Sequence, residues 1–245
     1  MLDLYLASRA KVTYIKLKKT NYAIGQKVID IAIVDDHQIF VDALSYVLDS
    51  ESLIHVSFTA KNGHELLKEL EETMVAVILL DLDMPIMDGR EALHILRKKY
   101  HNTVKIIILS VHYSEEHIRK YMKAGADGYL SKDSDVRVLL EAIHSVNEKG
   151  YYFYDKVSPQ LVSELVNKNT PFPPVLVGEP LSEREIEVIK LLCLGMTSPQ
   201  IAEKIKLSIR TIENHRHRIS KKIGANNTAD IIVYAIKYGY HKIDY

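Results

Sequence analysis

The chain has 245 residues, of which 47% are hydrophobic and 26% are charged, and its formal net charge is zero. This length favours two domains with separate cores. Apolar runs such as residues 75–80 are far too short to cross a bilayer, so we expect no membrane association. Cys193 is the only cysteine, which excludes a disulfide within the chain and favours a reducing, cytoplasmic location. Its apolar neighbours, among them Ile189 and Leu192, indicate a small core residue rather than a nucleophile.

The zero net charge conceals a segregation of charge along the chain. Residues 30–150 hold 21 acidic and 13 basic side chains, whereas residues 181–245 hold 11 basic and 7 acidic ones. Ordinary surface variation would explain either imbalance alone. Together they favour a cation or phosphate site in the first segment and a polyanionic partner for the second.

Residues 1–28 form a basic N-terminal extension that precedes any regular pattern. The extension lacks the basic-then-apolar order of a secretory signal, and Asp3 lies in its opening. Three interpretations stay open: an incidental tail, an arm that touches a membrane or nucleic acid, and an extension from a start codon assigned too early. We expect this segment to lie outside the domains.

Between residues 29 and 150, short apolar runs alternate with amphipathic stretches. The strand candidates are Ile29–Val34, Ile54–Thr59, Val75–Leu80, Lys105–Ser110 and Gly128–Leu130, and the helix candidates are at about 37–49, 63–72, 89–100, 115–124 and 134–148. Five strand-then-helix units predict an α/β fold with a doubly wound, five-stranded parallel sheet. In such sheets, functional groups collect at the carboxyl ends of the strands.

Residues 151–180 are the predicted linker, and residues 181–245 are a predicted second domain that is small and all-α. The linker has an aromatic cluster at 151–154, a short helix and a proline-rich stretch at 170–174. Beyond it, Ser182 with Glu185 forms a capping box ahead of a helix that Gly195 ends. Further helices are predicted at about 197–205, 208–223 and 228–238, and the first two of these are joined by a tight turn.

Polar side chains follow four of the predicted strands and should share one rim of the sheet. Asp35 and Asp36 follow the first strand, Asp81 the third, Ser110 closes the fourth and Lys132 follows the fifth. Crowded carboxylates repel one another, and their oxygen atoms favour Mg²⁺ as the neutralising ion. Such a site would leave Asp81 able to attack a phosphoryl group, with Lys132 and Ser110 contacting its oxygens. The alternative for the Asp pair alone is a solvated turn after a strand.

Residues 29–149 resemble a response-regulator receiver domain, which has a flavodoxin-like fold. The resemblance is carried by the sequences at 34–37 (VDDH), 80–89 (LDLDMPIMDG), 109–110 (LS) and 125–133 (GADGYLSKD). It implies that Asp81 accepts the phosphoryl group, that Asp36, Asp81 and the Asp83 carbonyl hold Mg²⁺, and that Asp35 assists through water. It also implies that Ser110 and Tyr129 form a switch pair.

The Asp81-x-Asp83 motif leaves an enzyme as an alternative to the receiver. Asp81-x-Asp83 after an apolar strand also resembles the haloacid-dehalogenase-type phosphatases, in which the first Asp is a nucleophile and the second a general acid. That family expects Thr or Val where Pro85 stands, and it leaves Asp35 and Asp36 unexplained. The sequence therefore favours a protein that is not an enzyme.

The helix predicted at 208–223 carries a donor-rich stripe opposite an apolar one. Its polar stripe is suited in width to a DNA major groove, although periodicity alone would fit a merely solvated face. Residues 181–240 resemble the LuxR-type helix-turn-helix of NarL/FixJ-class regulators, on the sequences at 181–185 (LSERE), 195–197 (GMT), 200–202 (QIA), 208–215 (SIRTIENH) and 222–224 (KIG). The resemblance implies base contacts by Glu213, Asn214 and His217, and phosphate contacts by Arg210, Thr211, Arg216 and Lys221.

The two resemblances together predict a transcriptional response regulator of a two-component system. A sensor histidine kinase would phosphorylate Asp81, and the protein would then bind double-stranded DNA as a homodimer. The helix at about 228–238 resembles the one with which such proteins dimerise on DNA, and a fourth core helix is the equal alternative. Another hypothesis is a DNA-binding protein that works without phosphorylation and uses the receiver only as a dimerisation platform.

Overall fold

The computed structural model describes residues 27–154, 157–166 and 180–241. The basic extension, apart from residues 27–28, and the proline-rich stretch of the linker lie outside these residues. The chain groups into two compact units, one ending at Val104 and the other beginning at Lys105.

The strands form one five-stranded sheet in the order β2-β1-β3-β4-β5. Their bounds are β1 Ile29–Val34, β2 Ile54–Ala60, β3 Val77–Asp81, β4 Lys105–Ser110 and β5 Gly128–Ser131. In the first unit β1 pairs in parallel with both β2 and β3, and in the second unit β4 pairs in parallel with β5. All five residues of β3 are buried, as expected of a strand covered on both faces. The predicted α/β fold is confirmed.

The first unit contains α1 (Gln38–Ser50), α2 (Gly63–Glu72) and α3 (Gly89–Tyr100). The start of α2 is fixed by Asn62, whose side chain accepts a hydrogen bond from the Glu65 N–H. Asp88 caps α3 in the same way, accepting from the N–H groups of Arg90 and Glu91. These caps satisfy amide groups that would otherwise have no partner at the helix ends.

In the second unit, α4 (Glu115–Lys123), α5 (Val136–Lys149) and α6 (Pro159–Leu165) follow the strands. The sequence placed the start of α5 at 134, but Asp135 caps the helix by accepting a hydrogen bond from the Arg137 N–H, so the helix begins at Val136. The short helix α6, predicted within the linker, begins after the N-cap Ser158 with a proline in its first turn.

The same unit ends with four helices, α7 (Glu183–Cys193), α8 (Ser198–Lys204), α9 (Ile209–Ile223) and α10 (Thr228–Lys237). The capping box of Ser182 and Glu185 is present as predicted. Cys193 is buried, which confirms the predicted core position, and burial raises the pKa of its thiol to about 12. Within the described ranges, every helix is too short or too polar to span a membrane.

Candidate functional site

The first unit gathers an acidic cluster at the carboxyl ends of β1 and β3. Asp35, Asp36, His37 and Asp81 each offer one potential ligand atom, and these atoms lie within 4.8 Å of one another. Asp35 and Asp81 are buried, whereas Asp36 and His37 are exposed. The cluster therefore has two buried carboxylates and a side that is open to solvent.

The carboxylate of Asp81 is held in place by its own backbone. The Leu82 N–H donates to Asp81 Oδ1 at 2.8 Å. The chain packs tightly beside it, because a β-carbon at Gly89 would lie 1.9 Å from the Asp81 carbonyl oxygen. Only glycine fits there without moving the backbone, so the approach of α3 to the end of β3 fixes where the Asp81 side chain begins.

His37 belongs to the cluster, although the sequence analysis gave it no role. Its Nδ1 lies 3.1 Å from Asp35 Oδ1 and 3.1 Å from Asp36 Oδ1. Its backbone N–H also donates to Asp35 Oδ1 at 2.9 Å. The sequence could have indicated this position, because a histidine that directly follows two aspartates at the end of a strand lies in the same turn as they do.

The side chain of Asp83 points to a different partner. Its Oδ1 accepts a hydrogen bond from Arg90 Nη2 at 2.9 Å, and both side chains are about half exposed. The carboxylate of Asp83 is therefore not one of the clustered ligands. A role for its main-chain carbonyl in metal binding stays a prediction.

The donor set of the cluster fits Mg²⁺. Three carboxylates offer hard oxygen ligands, and Mg²⁺ is usually held by one or two carboxylates together with water. A transition-metal site would be expected to draw on more nitrogen or sulfur ligands, and among the residues that the structure describes His37 is the only such group in this cluster.

The second unit holds Ser110, Tyr129 and Lys132 at the ends of β4 and β5. The Lys132 N–H donates to the Ser110 carbonyl at 3.0 Å, so the two strand ends are in register. The buried Ser110 hydroxyl accepts from the His112 N–H at 3.1 Å. That Ser110 and Lys132 meet the acidic cluster at one rim of the sheet stays a prediction.

The ring of Tyr129 is buried among aromatic side chains. Its hydroxyl donates to the carbonyl oxygen of His112, two residues beyond Ser110. Its ring centroid lies 5.9 Å from that of Tyr121 on α4 and 6.1 Å from that of Tyr113. The predicted switch residues Ser110 and Tyr129 are therefore connected through His112 in the loop after β4.

Helix α9 separates polar and apolar faces as predicted. Its apolar stripe is anchored by Ile212, Ile219 and Ile223, all buried. Most residues predicted to contact DNA are exposed, namely Arg210, Glu213, Asn214, His217 and Lys221, while Thr211 is half-buried and lies with its Oγ1 2.7 Å from Ser208 Oγ. The exposed set presents hydrogen-bond donors and acceptors of the kinds that contact base edges and phosphates.

Arg216 has partners within the protein. Its guanidinium donates to Ser198 Oγ on α8 at 2.7 Å and to Thr228 Oγ1 on α10 at 2.9 Å. It also lies 3.5 Å from Glu213 Oε1. These contacts connect α9 to α8 and α10, so Arg216 stabilises the packing of the three helices. A phosphate contact by Arg216 stays a prediction.

The sequence analysis did not predict two ion pairs whose carboxylates are buried. Lys149 at the end of α5 pairs with Asp230 on α10, and both side chains are buried. Lys222 on α9 donates to Glu185 Oε2 on α7 at 2.8 Å. Burial alone would raise the pKa of Glu185, but the hydrogen bonds from Lys222 and Ser182 outweigh it and hold that pKa below its usual value.

Two family descriptions match the chain. Residues 31–144 match the response regulator receiver domain, and residues 179–235 match the bacterial regulatory proteins of the luxR family. These ranges contain the acidic cluster and helix α9, respectively.

Relatives match over nearly the whole chain. The transcriptional regulatory protein DegU of Brevibacillus brevis is 32% identical over 235 residues, covering 91% of this chain and 99% of its own. The oxygen regulatory protein NreC of Staphylococcus epidermidis is 31% identical over 211 residues, covering 84% of this chain and 96% of its own. A crystal structure of the response regulator ChrA, from a heme-sensing two-component system, aligns over 87% of this chain and 99% of that chain, with 27% identity and a TM-score of 0.44.

Proposed function

The chain belongs to the two-component response regulators that join a receiver domain to a LuxR-type DNA-binding domain, and from this premise we propose that phosphorylation of Asp81 controls its binding to DNA. The observation that carries the proposal is the cluster of Asp35, Asp36 and Asp81 within 4.8 Å at the ends of β1 and β3. Such crowding of negative charge is costly unless a cation binds there, and a bound cation would in turn attract a phosphoryl group.

Asp81 is the proposed nucleophile. One of its carboxylate oxygens attacks the phosphorus of a phosphohistidine on a sensor kinase, the phosphorus–nitrogen bond breaks, and an acyl phosphate forms on Asp81. The hydrogen bond from the Leu82 N–H orients the carboxylate for this attack. The reaction is a single transfer onto the protein, in keeping with a family of DNA-binding regulators rather than of enzymes.

Asp35, Asp36 and Asp81 would hold Mg²⁺, with the Asp83 carbonyl as a further ligand. Bound there, the ion would neutralise charge on the incoming phosphoryl group. Lys132 would contact a phosphoryl oxygen, and the Ser110 hydroxyl would turn toward another. Because His112 bonds to both Ser110 and Tyr129, movement of Ser110 would be felt at the Tyr129 ring.

DNA is the proposed partner of the C-terminal helices. Glu213, Asn214 and His217 would contact base edges in the major groove, while Arg210, Thr211, Arg216 and Lys221 would contact phosphates. Two copies would pair on DNA so that two α9 helices reach neighbouring half-sites. The protein would act in the cytoplasm, where a bacterial kinase domain and DNA are both present.

The test compares Asp81→Asn with the wild type. Each protein is treated with acetyl phosphate and Mg²⁺, mass spectrometry looks for a hydroxylamine-labile adduct at position 81, and binding to a duplex selected from a random pool is measured. Phosphorylation should tighten binding of the wild type by roughly 5- to 150-fold and leave the variant unchanged. Asp42→Asn, the same change at an exposed position of α1, is the matched control and should behave as the wild type.

Two outcomes would overturn the proposal. Equal DNA affinity with and without phosphodonor in the wild type would favour the regulator that works without phosphorylation. Absence of a labile adduct at Asp81 with any donor would remove the chemical step itself.

A further inference from the structure

His37 stands at the N-cap of α1, and its ring faces the acidic cluster. N-cap side chains such as Ser, Thr, Asp and Asn usually accept a hydrogen bond from an amide of the first helical turn. In the part of the chain that the structure describes, no such amide donates to the His37 side chain. The backbone N–H of His37 instead donates to Asp35 Oδ1 at 2.9 Å, which holds the residue against the cluster. Capping of α1 therefore does not explain a histidine at this position.

One nitrogen of the His37 ring lies beside two carboxylates. Its Nδ1 is 3.1 Å from Asp35 Oδ1 and 3.1 Å from Asp36 Oδ1. An ionised carboxylate can only accept hydrogen bonds, so Nδ1 must carry a hydrogen and act as the donor. The ring thereby holds together two neighbouring carboxylates that Coulomb repulsion would otherwise separate.

The exposure of the three side chains shows where the ring lies. The exposed fraction rises from 2% for Asp35 to 33% for Asp36 and 70% for His37. The ring therefore lies on the solvent side of the two carboxylates. Because most of its surface is already in water, little packing opposes its movement away from them. The position of the ring depends mainly on the contacts of Nδ1.

The contacts of Nδ1 involve carboxylates that a cation at the cluster would need. Asp35, Asp36, His37 and Asp81 each offer one potential ligand atom, and these atoms lie within 4.8 Å of one another. Mg²⁺ binds carboxylate oxygens and water. A ring nitrogen that carries a hydrogen has no free lone pair for a metal ion, so His37 cannot bind the ion through Nδ1 in this arrangement. The Nδ1–H group and Mg²⁺ therefore compete for the same carboxylates.

We propose that His37 is a built-in substitute for the cation, which holds Asp35 and Asp36 together when Mg²⁺ is scarce and has to leave when Mg²⁺ binds. His37 is a positioning residue, since it acts through the two carboxylates. Its contact stabilises the folded protein without Mg²⁺, and by linkage it weakens Mg²⁺ binding by the same factor. His37 thus raises the Mg²⁺ concentration at which Asp81 can be phosphorylated. The inference deepens the proposed function and rests on its metal site.

The test uses the full chain with His37→Ala, which removes the ring, and with His37→Phe, which keeps a ring but has no donor. His94→Ala makes the alanine change at an exposed histidine of α3 and is the matched control. Isothermal titration calorimetry with Mg²⁺ alone, without phosphodonor, gives the dissociation constant of the ion. Urea titrations in EDTA and in saturating Mg²⁺ give the stability of each protein.

His37→Ala and His37→Phe should each bind Mg²⁺ about fivefold more tightly than the wild type, which corresponds to one ordinary hydrogen bond. Both variants should unfold at a lower urea concentration than the wild type in EDTA. This difference should disappear in saturating Mg²⁺, because the ring no longer contacts the carboxylates in any of the proteins. His94→Ala should bind Mg²⁺ with the affinity of the wild type.

A merely structural role of His37 predicts a different pattern. Loss of a ring that only supports the fold would lower stability both with and without Mg²⁺, and binding of the ion would be weaker or unchanged. Weaker or unchanged binding in both variants would overturn the inference. Tighter binding in His37→Ala alone would also overturn it, because the bulk of the ring, and not its Nδ1–H group, would then oppose the ion.

The inference and the proposed function can fail separately. If both variants bind Mg²⁺ more tightly while no labile adduct forms at Asp81, the inference holds and phosphorylation control is wrong. If the wild type is phosphorylated and neither variant binds Mg²⁺ more tightly, phosphorylation control holds and the inference is wrong. If none of the proteins binds Mg²⁺, the inference is overturned together with the proposed metal site.

Discussion

Asp81 and Asp230 are both buried carboxylates, but the groups next to them carry opposite charges: other carboxylates lie beside Asp81, whereas a lysine lies beside Asp230. Asp81 lies with two further aspartates at the ends of neighbouring strands, an arrangement that accumulates charge of one sign. Asp230 is paired with Lys149, a cation that the chain itself supplies. The first arrangement suits a site that receives an ion and a phosphoryl group from outside, and the second suits an internal contact. The role of a buried carboxylate therefore depends on the charges of the groups around it.

The largest effect is expected from disturbing the backbone beneath the acidic cluster. In Gly89→Ala the new β-carbon would lie 1.9 Å from the Asp81 carbonyl oxygen, so the end of β3 or the start of α3 must move. We expect a loss of about 3 kcal/mol in the free energy of unfolding, measured with urea. Gly128→Ala is the control, because its β-carbon would meet its nearest atom at an ordinary 3.5 Å. Similar losses in the two variants would show that the close approach at Gly89 is unimportant.

Mg²⁺ can test whether the acidic cluster binds a cation from solution, in contrast to Asp230, whose cation is a lysine of the chain. Free Mg²⁺ at about one hundred times its dissociation constant should raise the free energy of unfolding by about 2.7 kcal/mol, because the ion binds only the folded protein. Asp36→Asn should remove most of this gain, whereas Lys149→Met should keep it. Urea titrations with and without Mg²⁺ provide the measurement. An undiminished response in Asp36→Asn would argue against a metal site at the cluster.

Glu185 offers a third buried carboxylate, again with an internal cation. Its lowered pKa means that the ionised form stabilises the folded state. This stabilisation is complete above the ordinary pKa of glutamate and is lost as the pH falls through the lower folded-state value. Glu185→Gln should lower the free energy of unfolding by about 2 kcal/mol at neutral pH, with a smaller difference from the wild type in acid. Glu187→Gln, at an exposed pair with Arg184, should change the pH profile much less.

The smallest effect is expected at an exposed pair. Glu164 on α6 contacts Arg119 at 2.9 Å and Lys123 at 2.6 Å, and the hydrogen bonds from Lys123 and Arg119 lower its pKa. Water and salt screen such contacts, so Glu164→Gln should shift the thermal midpoint slightly, and the shift should vanish at high salt. Glu71→Gln, which breaks the exposed contact with Lys99, is the control for stability. A large, salt-resistant shift for Glu164→Gln would show that α6 is held electrostatically.

Local patterns predicted most of the fold. The bounds of β1, β4, α2 and α3 agree with the sequence analysis to the residue, because apolar runs and capping residues act over short distances. The acidic cluster was predicted because Asp35, Asp36 and Asp81 each follow a predicted strand of the same parallel sheet, whose carboxyl ends share one edge. The resemblance to both families is confirmed by the matches over 31–144 and 179–235.

Contacts between distant segments were beyond the sequence analysis. Nothing in the neighbourhood of Lys149 indicates that it is buried, because its partner lies 81 residues away. Arg216 falls on a polar part of α9, so helical periodicity suggests a solvent-facing residue, whereas its partners come from α8 and α10. Such pairs depend on the tertiary structure and produce no periodic pattern in the sequence.

The hydrogen bonds of Arg216 have a consequence for which properties of DNA binding could be regulated. Since one guanidinium ties α9 to its two neighbouring helices, α9 cannot turn or slide without breaking hydrogen bonds on both sides. Signals that reach this part of the chain would therefore move α8, α9 and α10 together and leave unaltered the face of α9 that is proposed to contact DNA. The preferred base sequence should be a fixed property of the protein, and only the strength of binding should be adjustable.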